Sequence, residues 1–191
     1  MKIKCLSKEK ILLPLDLQLK NQSPEQDVMY EFLDVGKEYN VYGMILIHGQ
    51  ISYYICDRAH NRFPIARPAK LFEIIDNRLS RYWVFGMIQG FEKYLVWIFW
   101  EWINEAYFQD NLTDGEEKEV GIFQAYKKLM DLEFPDSSIT EYAQIIDDEW
   151  LICSSCIDGW ECSSDRDALV MCPKCQKILN NPRYKNRYPG F

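Results

Sequence analysis

The chain has 191 residues, 48% of them hydrophobic and 15% aromatic, and a formal net charge of −7. Enough apolar surface is present to fill one packed core, or a core with a small appendage, which excludes global disorder. The opening residues, MKIKCLSKEKILLPLD, lack the apolar stretch and small-residue cleavage site of a signal peptide. The most apolar run, Tyr94 to Trp100, is far shorter than the about 20 residues that span a bilayer, so a cytoplasmic protein without a membrane segment is expected.

In chain order, the first 25 residues alternate apolar and polar clusters broken by Pro14 and Pro24, with room for a short strand near Ile11 to Leu19. Asp27 to Leu33 reads as a short helix or a loop. Val41 to Ile47 is largely apolar on both faces, and His48-Gly49-Gln50 supplies a hairpin turn before Ile51 to Cys56. This hairpin is predicted to lie centrally in a sheet, covered on both sides. Asp57 to Arg62 is a polar loop. Pro64 and Pro68 then confine Phe63 to Pro68 to a sheet edge or an extended connector. Leu71 to Ile75 and Tyr82 to Met87 read as further strands, separated by a turn at Asp76-Asn77-Arg78. So many short strands predict a strongly bent antiparallel sheet or a small β-barrel.

After Gly90 the periodicity changes. Leu95, Ile98, Phe99, Trp102, Ile103 and Ala106 follow helical spacing, although Tyr94 to Phe99 also favours a strand. Such a stripe packs a core and resembles no cofactor box. Thr113 stands three residues before Glu116, a capping-box spacing that would open a helix reaching about Met130. Val120, Phe123, Tyr126 and Leu129 to Met130 form its apolar stripe, and Pro135 ends the region. Ser138 to Ile146 reads as a strand or short helix. The expected fold is α+β, a bent sheet or small barrel with two or three helices. Residues 1–148 form the main domain (β-rich over 36–90, helical over 91–134), and residues 149–191 form a zinc ribbon and tail.

The ribbon rests on four of the seven cysteines. Cys153-Ser-Ser-Cys156 and Cys172-Pro-Lys-Cys175 each place two thiols on a tight knuckle, and the 15 residues between them can form a hairpin that brings the knuckles together. Four thiolates satisfy tetrahedral zinc and leave no open coordination position, so the ion is expected to be structural. A redox Cys-x-x-Cys would need a helix N-terminus after a strand, and it leaves the second pair unexplained. Cys162, inside the spacer, is a candidate alternative ligand, a small packed residue or an exposed spectator, and Cys5 and Cys56 read as core thiols.

No catalytic constellation is legible. The two histidines, His48 at a turn and His60 beside Asp57, Arg58 and Arg62, have no nucleophile in a recognisable elbow, and structural roles fit them better. Neither a phosphate-binding loop nor a dinucleotide fingerprint is present. Asp147-Asp148-Glu149 cannot turn three adjacent carboxylates onto one ion and reads as a solvated acidic edge.

Charge is unevenly spread: residues 101–150 hold 14 Asp and Glu against three Lys. A solvated helical face explains this block simply, and a surface that meets a basic partner explains it more sharply. Arg183, Tyr184, Lys185, Arg187 and Tyr188 interleave bases with aromatics and read as a tail packed on the ribbon or as a grip on nucleic acid.

Lys37-Glu38-Tyr39-Asn40-Val41-Tyr42-Gly43-Met44, Tyr53-Tyr54-Ile55-Cys56-Asp57, Leu71-Phe72-Glu73-Ile74-Ile75-Asp76 and Arg78-Leu79-Ser80-Arg81-Tyr82-Trp83-Val84-Phe85-Gly86 together resemble a group of small bacterial proteins similar to the immunity partners of polymorphic or contact-dependent toxins. The resemblance spans roughly residues 36–135 and brings no catalytic motif. It implies a non-catalytic protein that neutralises a toxin domain by binding it. Glu116, Glu117, Glu119, Asp147, Asp148 and Glu149 are then the candidate contacts to a basic protein partner. The other reading is a zinc-ribbon adaptor that binds nucleic acid, or a complex that processes it, through residues 151–191.

Overall fold

A computed structural model describes residues 1–8, 30–47, 49–89, 93–135, 139–165 and 167–184. The strand expected near Ile11 to Leu19, the turn residue His48 and the tail residues Lys185, Arg187 and Tyr188 lie outside the described residues. The fold is α+β, and the chain divides into two compact units, Met1–Lys127 and Lys128–Phe191.

Unit Met1–Lys127 contains two antiparallel sheets. The smaller joins β1 (Lys2–Cys5), β2 (Glu38–Asn40) and β6 (Phe72–Asp76) in the order β2-β1-β6. The larger joins β3 (Gly43–Ile47), β4 (Gln50–Ile55), β5 (Ile65–Pro68), β7 (Val84–Gln89) and β8 (Lys93–Ile98) in the order β5-β4-β3-β8-β7. The apolar strand β3 is thus central, and the proline-bounded β5 is an edge, where a missing N–H costs no ladder bond. The larger sheet is open, with β5 and β7 as its two edges, and no closed barrel forms among the described residues.

Strand alternation sorts the larger sheet's side chains onto two faces. On one face, Tyr53 and Ile55 join Ile3, Cys5, Tyr39, Val41, Leu71 and Phe72 in a core shared with the smaller sheet. On the other, Ile45, Tyr54, Val96 and Ile98 are buried. Here Tyr54 packs on Trp102 with ring centroids 5.0 Å apart, and its hydroxyl donates to Gln109 Oε1 at 3.1 Å. Gly86 lies so close to Ile103 that a Cβ would come within 2.7 Å of its Cδ1, so a side chain there would require Ile103 to shift.

Three helices follow: α1 (Trp100–Asn104), α2 (Phe108–Asp114) and α3 (Glu117–Glu133). The stripe from Leu95 to Ala106 is therefore no single helix. Residues 93–98 are drawn into the sheet by pairing with both β3 and β7, and tertiary pairing overrides the helical period. The capping-box reading also fails. Thr113 sits inside α2, where its hydroxyl donates to the Asp110 carbonyl at 2.9 Å, and Gly115 ends that helix in the left-handed conformation at φ 87°. α3 begins only at Glu117; Phe123 packs edge-on to Tyr42, and Tyr126 stacks on Phe99 at 4.3 Å.

Unit Lys128–Phe191 carries β9 (Gln144–Ile145), β10 (Trp150–Ile152), β11 (Gly159–Glu161), β12 (Leu169–Met171) and β13 (Ile178–Asn180). β10 pairs with β9 and β11, and β12 pairs with β13, all antiparallel. No helix among the described residues is long and apolar enough to cross a membrane.

Candidate metal centre

Each Cys-x-x-Cys forms the loop of its own short hairpin. Residues 153–158 join β10 to β11, and residues 172–177 join β12 to β13. The spacer is thus not a hairpin in itself: it gives β11 to the first hairpin and β12 to the second. The two loops repeat one hydrogen-bond pattern. Cys153 N–H donates to the Asp158 carbonyl and Cys172 N–H to the Lys177 carbonyl, both at 2.9 Å. Ile157 N–H returns to the Cys153 carbonyl at 3.1 Å, and Gln176 N–H to the Cys172 carbonyl at 2.9 Å. Both Ile157 (φ 56°) and Gln176 (φ 59°) take the left-handed conformation that lets the loop fold back past its second cysteine. Only glycine adopts it without steric cost.

The loops bring Cys153, Cys156, Cys172 and Cys175 together, with their sulfurs within 4.8 Å of one another. Cys153 Sγ lies 3.7 Å from Cys175 Sγ, and Cys156 Sγ lies 3.6 Å from Cys172 Sγ. A disulfide would need about 2.05 Å, whereas four sulfurs at about 2.3 Å from one ion form a tetrahedron with edges of about 3.8 Å. Those two pairs have the second spacing, and none of the seven cysteines forms a disulfide. These four thiols could hold a metal ion.

Beneath them, Leu151, Val170 and Leu179 pack with the buried Cys153 and Cys172 and with Ala143. Cys162 sits at the border of this core, outside the four-sulfur cluster, and its N–H donates to the Glu149 carbonyl at 2.7 Å.

Two of the four thiols are shifted in opposite directions. The Cys156 N–H, aimed at the Cys153 sulfur, pulls that thiol down to about 6. Desolvation, reinforced by the neighbouring sulfurs, pushes Cys156 up to about 12. Cys153 is therefore the readier thiolate and Cys156 the more reluctant one, so a divalent ion that takes the Cys156 sulfur must displace its proton.

Two lysines frame the cluster. Lys174 Nζ pairs with Asp158 Oδ1 at 3.1 Å, and the Cys156 and Cys172 sulfurs act electrostatically on the same ammonium. Lys177 Nζ reaches Glu141 Oε1 at 2.6 Å and Ser155 Oγ at 2.7 Å, joining residues 139–146 to the first knuckle. Sequence reading missed these roles. The signal was a lysine inside the second Cys-x-x-Cys and another just after it.

The other candidate residues are dispersed. Glu116 and Glu117 are exposed, but Glu119 is only 6% exposed and accepts from Asn111 Nδ2 at 3.3 Å, so it offers a partner no open carboxylate. Asp147, Asp148 and Glu149 are exposed, with Asp147 Oδ1 closing a turn onto the N–H groups of Glu149 and Trp150 at 2.9 Å each. Arg183 donates to the backbone carbonyls of Asp147, Asp148 and Trp150 and is held by the ribbon itself. His60 Nδ1 lies 2.8 Å from Asp57 Oδ1, and its ring stands edge-on to Phe32 and Phe63.

Fold and site define an α+β protein whose second unit carries a tetrathiol centre fit for a metal ion. Comparison with family models, curated proteins and solved structures found no match.

Proposed function

We propose that Cys153, Cys156, Cys172 and Cys175 hold one structural zinc ion, and that the protein is a non-catalytic binding protein that neutralises a basic partner, in the manner of an immunity protein. The convergence of four sulfurs at tetrahedral spacing carries the zinc reading. Soft thiolates in a closed tetrahedral set suit zinc, and all four positions are filled by protein. Such an ion braces two hairpins whose strands are three residues each and bury little apolar surface.

The exposed carboxylates of Glu116 and Glu117, at the start of α3, and of Asp147, Asp148 and Glu149 support a basic partner. Complementary charge would speed encounter and exclude wrong partners. The engagement of Arg183 with three ribbon carbonyls weighs against its gripping nucleic acid.

Metal analysis of the purified chain should find one zinc per chain, and iron or an intact metal-free ribbon would overturn the assignment. For the partner, co-expression with a toxin-like protein encoded beside this one should abolish its toxicity and yield a complex on gel filtration. Glu116→Lys with Glu117→Lys should slow association about tenfold or more at low salt, with the effect shrinking as salt is raised. Undiminished toxicity with no complex would end the binding hypothesis.

A further inference from the structure

Register in the sheet of β9, β10 and β11 decides which side chains share a face. Leu151, opposite Trp160, belongs to the row that packs into the core. The alternate row turns outward. It sets Trp150 opposite Glu161 on one flank and Ile146 on the other, where the Ile146 N–H donates to the Trp150 carbonyl at 3.0 Å. Trp150 is 43% exposed and Ile146 55%. Gly159 lies beside both: a Cβ there would meet Ile146 Cδ1 at 3.4 Å and Trp150 Cε3 at 3.8 Å. With no side chain at 159, the isoleucine and the indole form one apolar platform across the strands.

The rim of this platform is acidic. Residues 141–161 include Glu141, Asp147, Asp148, Glu149, Asp158 and Glu161, and no lysine, arginine or histidine. The nearby cations are engaged elsewhere. Lys174 pairs with Asp158, Lys177 pairs with Glu141, and Arg183 donates to the backbone carbonyls of Asp147, Asp148 and Trp150. Asp148, Glu149 and Glu161 are exposed, and no cation among the described residues pairs with them. Their turn is already fixed, by Arg183 and by Asp147 Oδ1, which accepts the N–H groups of Glu149 and Trp150. Such carboxylates meet a partner with little further loss of backbone entropy.

We propose that this face seats a basic protein segment, with one apolar side chain on Trp150 and Ile146 and flanking lysines or arginines on Asp148, Glu149 and Glu161. Charge selects the occupant. Nucleic acid, an anionic lipid surface and the same face of a second copy are all negative and are repelled, whereas a cationic chain is drawn in. Glu161 stands directly across from Trp150, so a cation lying on the indole also meets a carboxylate. Tryptophan is the kind of anchor that carries interface energy once a partner shields it from water. This surface rests on the reading of a basic partner given above, and narrows that reading to the ribbon rather than to the start of α3.

Amide NMR of the full metal-loaded chain tests the surface. The probe is a short acetylated and amidated peptide with one leucine flanked on each side by arginine and lysine. Saturable shifts should appear at 144–152 and 159–161. A peptide with serine in place of the leucine should bind about tenfold more weakly. Trp150→Ser and Ile146→Ser, both at exposed sites, should each weaken the leucine peptide about tenfold or more, with dispersed spectra and unchanged metal content showing that they fold. Glu116→Lys with Glu117→Lys should leave peptide binding unchanged. Absence of saturable shifts would overturn the proposal, as would shifts centred on 116–119, equal binding of the serine peptide, or full binding by both ribbon variants. A neutralised toxin whose complex survives Trp150→Ser and Ile146→Ser would remove this surface and leave the immunity reading standing. Peptide binding at the ribbon without any toxin complex would support the surface and end that reading.

Discussion

Arg67 donates from Nη2 to Asp57 Oδ2, and neither side chain exposes any surface to solvent. The carboxylate is well supplied: Oδ1 also accepts the N–H groups of Ala59 and His60 at 3.0 Å each, and meets His60 Nδ1 at 2.8 Å. The guanidinium is not, since its Nε and Nη1 are buried without a partner among the described residues. A buried pair in which one member is short of partners gives little net stability, yet breaking it strands a charge. Arg67→Met alone should therefore cost about 3–5 kcal/mol, and Arg67→Met with Asp57→Leu should recover only part of that loss, because the Ala59 and His60 donors lose their acceptor. Urea midpoints of the two variants decide it, and a single variant within about 1 kcal/mol of wild type would contradict this account.

The same pair predicts acid sensitivity. Burial by itself would push the Asp57 carboxyl up, but hydrogen bonds from Arg67 and His60 outweigh it and hold the group below its ordinary value of 3.8. A depressed carboxyl binds more protons in the unfolded chain. Its contribution is therefore complete above the unfolded value of about 3.9 and is lost as pH falls through the lower folded value. Stability plotted against pH should fall below about 4, and Asp57→Asn should flatten that limb while lowering stability at neutral pH. An unchanged acid limb in the variant would refute the assignment.

At the knuckles, Ile157 and Gln176 occupy positions where glycine is unstrained. Ile157 is 69% exposed, so replacing it forfeits little burial. Ile157→Gly should stabilise the metal-loaded ribbon by about 1 kcal/mol, and Gln176→Gly should do likewise. Competition with a chelator would report this as slower loss of the ion. Ile157→Val, which keeps the strain, should show no gain.

Cys153→Ser and Cys172→Ser should each reduce bound metal and loosen residues 139–184, leaving the sheets of Met1–Lys127 folded. Hydrogen exchange resolved along the chain separates the two regions. Full metal retention in both variants would remove these residues from the ligand set.

Arg183→Met withdraws donors from three carbonyls around β10. It should destabilise the ribbon by about 1–3 kcal/mol, and faster amide exchange across 147–152 is the measurement.

The four-cysteine cluster was legible in the sequence because Cys-x-x-Cys loops fold locally, so spacing alone nearly defines their geometry. The strands at 43–47 and 50–55 were legible for a similar reason: a short apolar hairpin announces itself. What escaped was set at long range. Lys2–Cys5, with its alternating lysines, becomes a strand only because Glu38–Asn40 and Phe72–Asp76 flank it. Tyr94 to Phe99 carries both periods, and pairing with β3 decides between them. Glu119 looked like its acidic neighbours until Asn111 and the packing of α3 buried it. No local signal could have shown that Arg67 would be wholly enclosed.

The repetition of one loop at both knuckles bears on how fast an ion can come and go. Each loop supplies two sulfurs on a scaffold that closes within six residues, so each is a complete chelating arm before the other arrives. An ion taken by one arm meets the second at the high effective concentration of a tethered partner. To escape, it must lose both arms before either recloses. Exchange with free metal should therefore be far slower than the bond lifetime of any single thiolate, and it should be gated by the opening of the β10–β11 and β12–β13 hairpins.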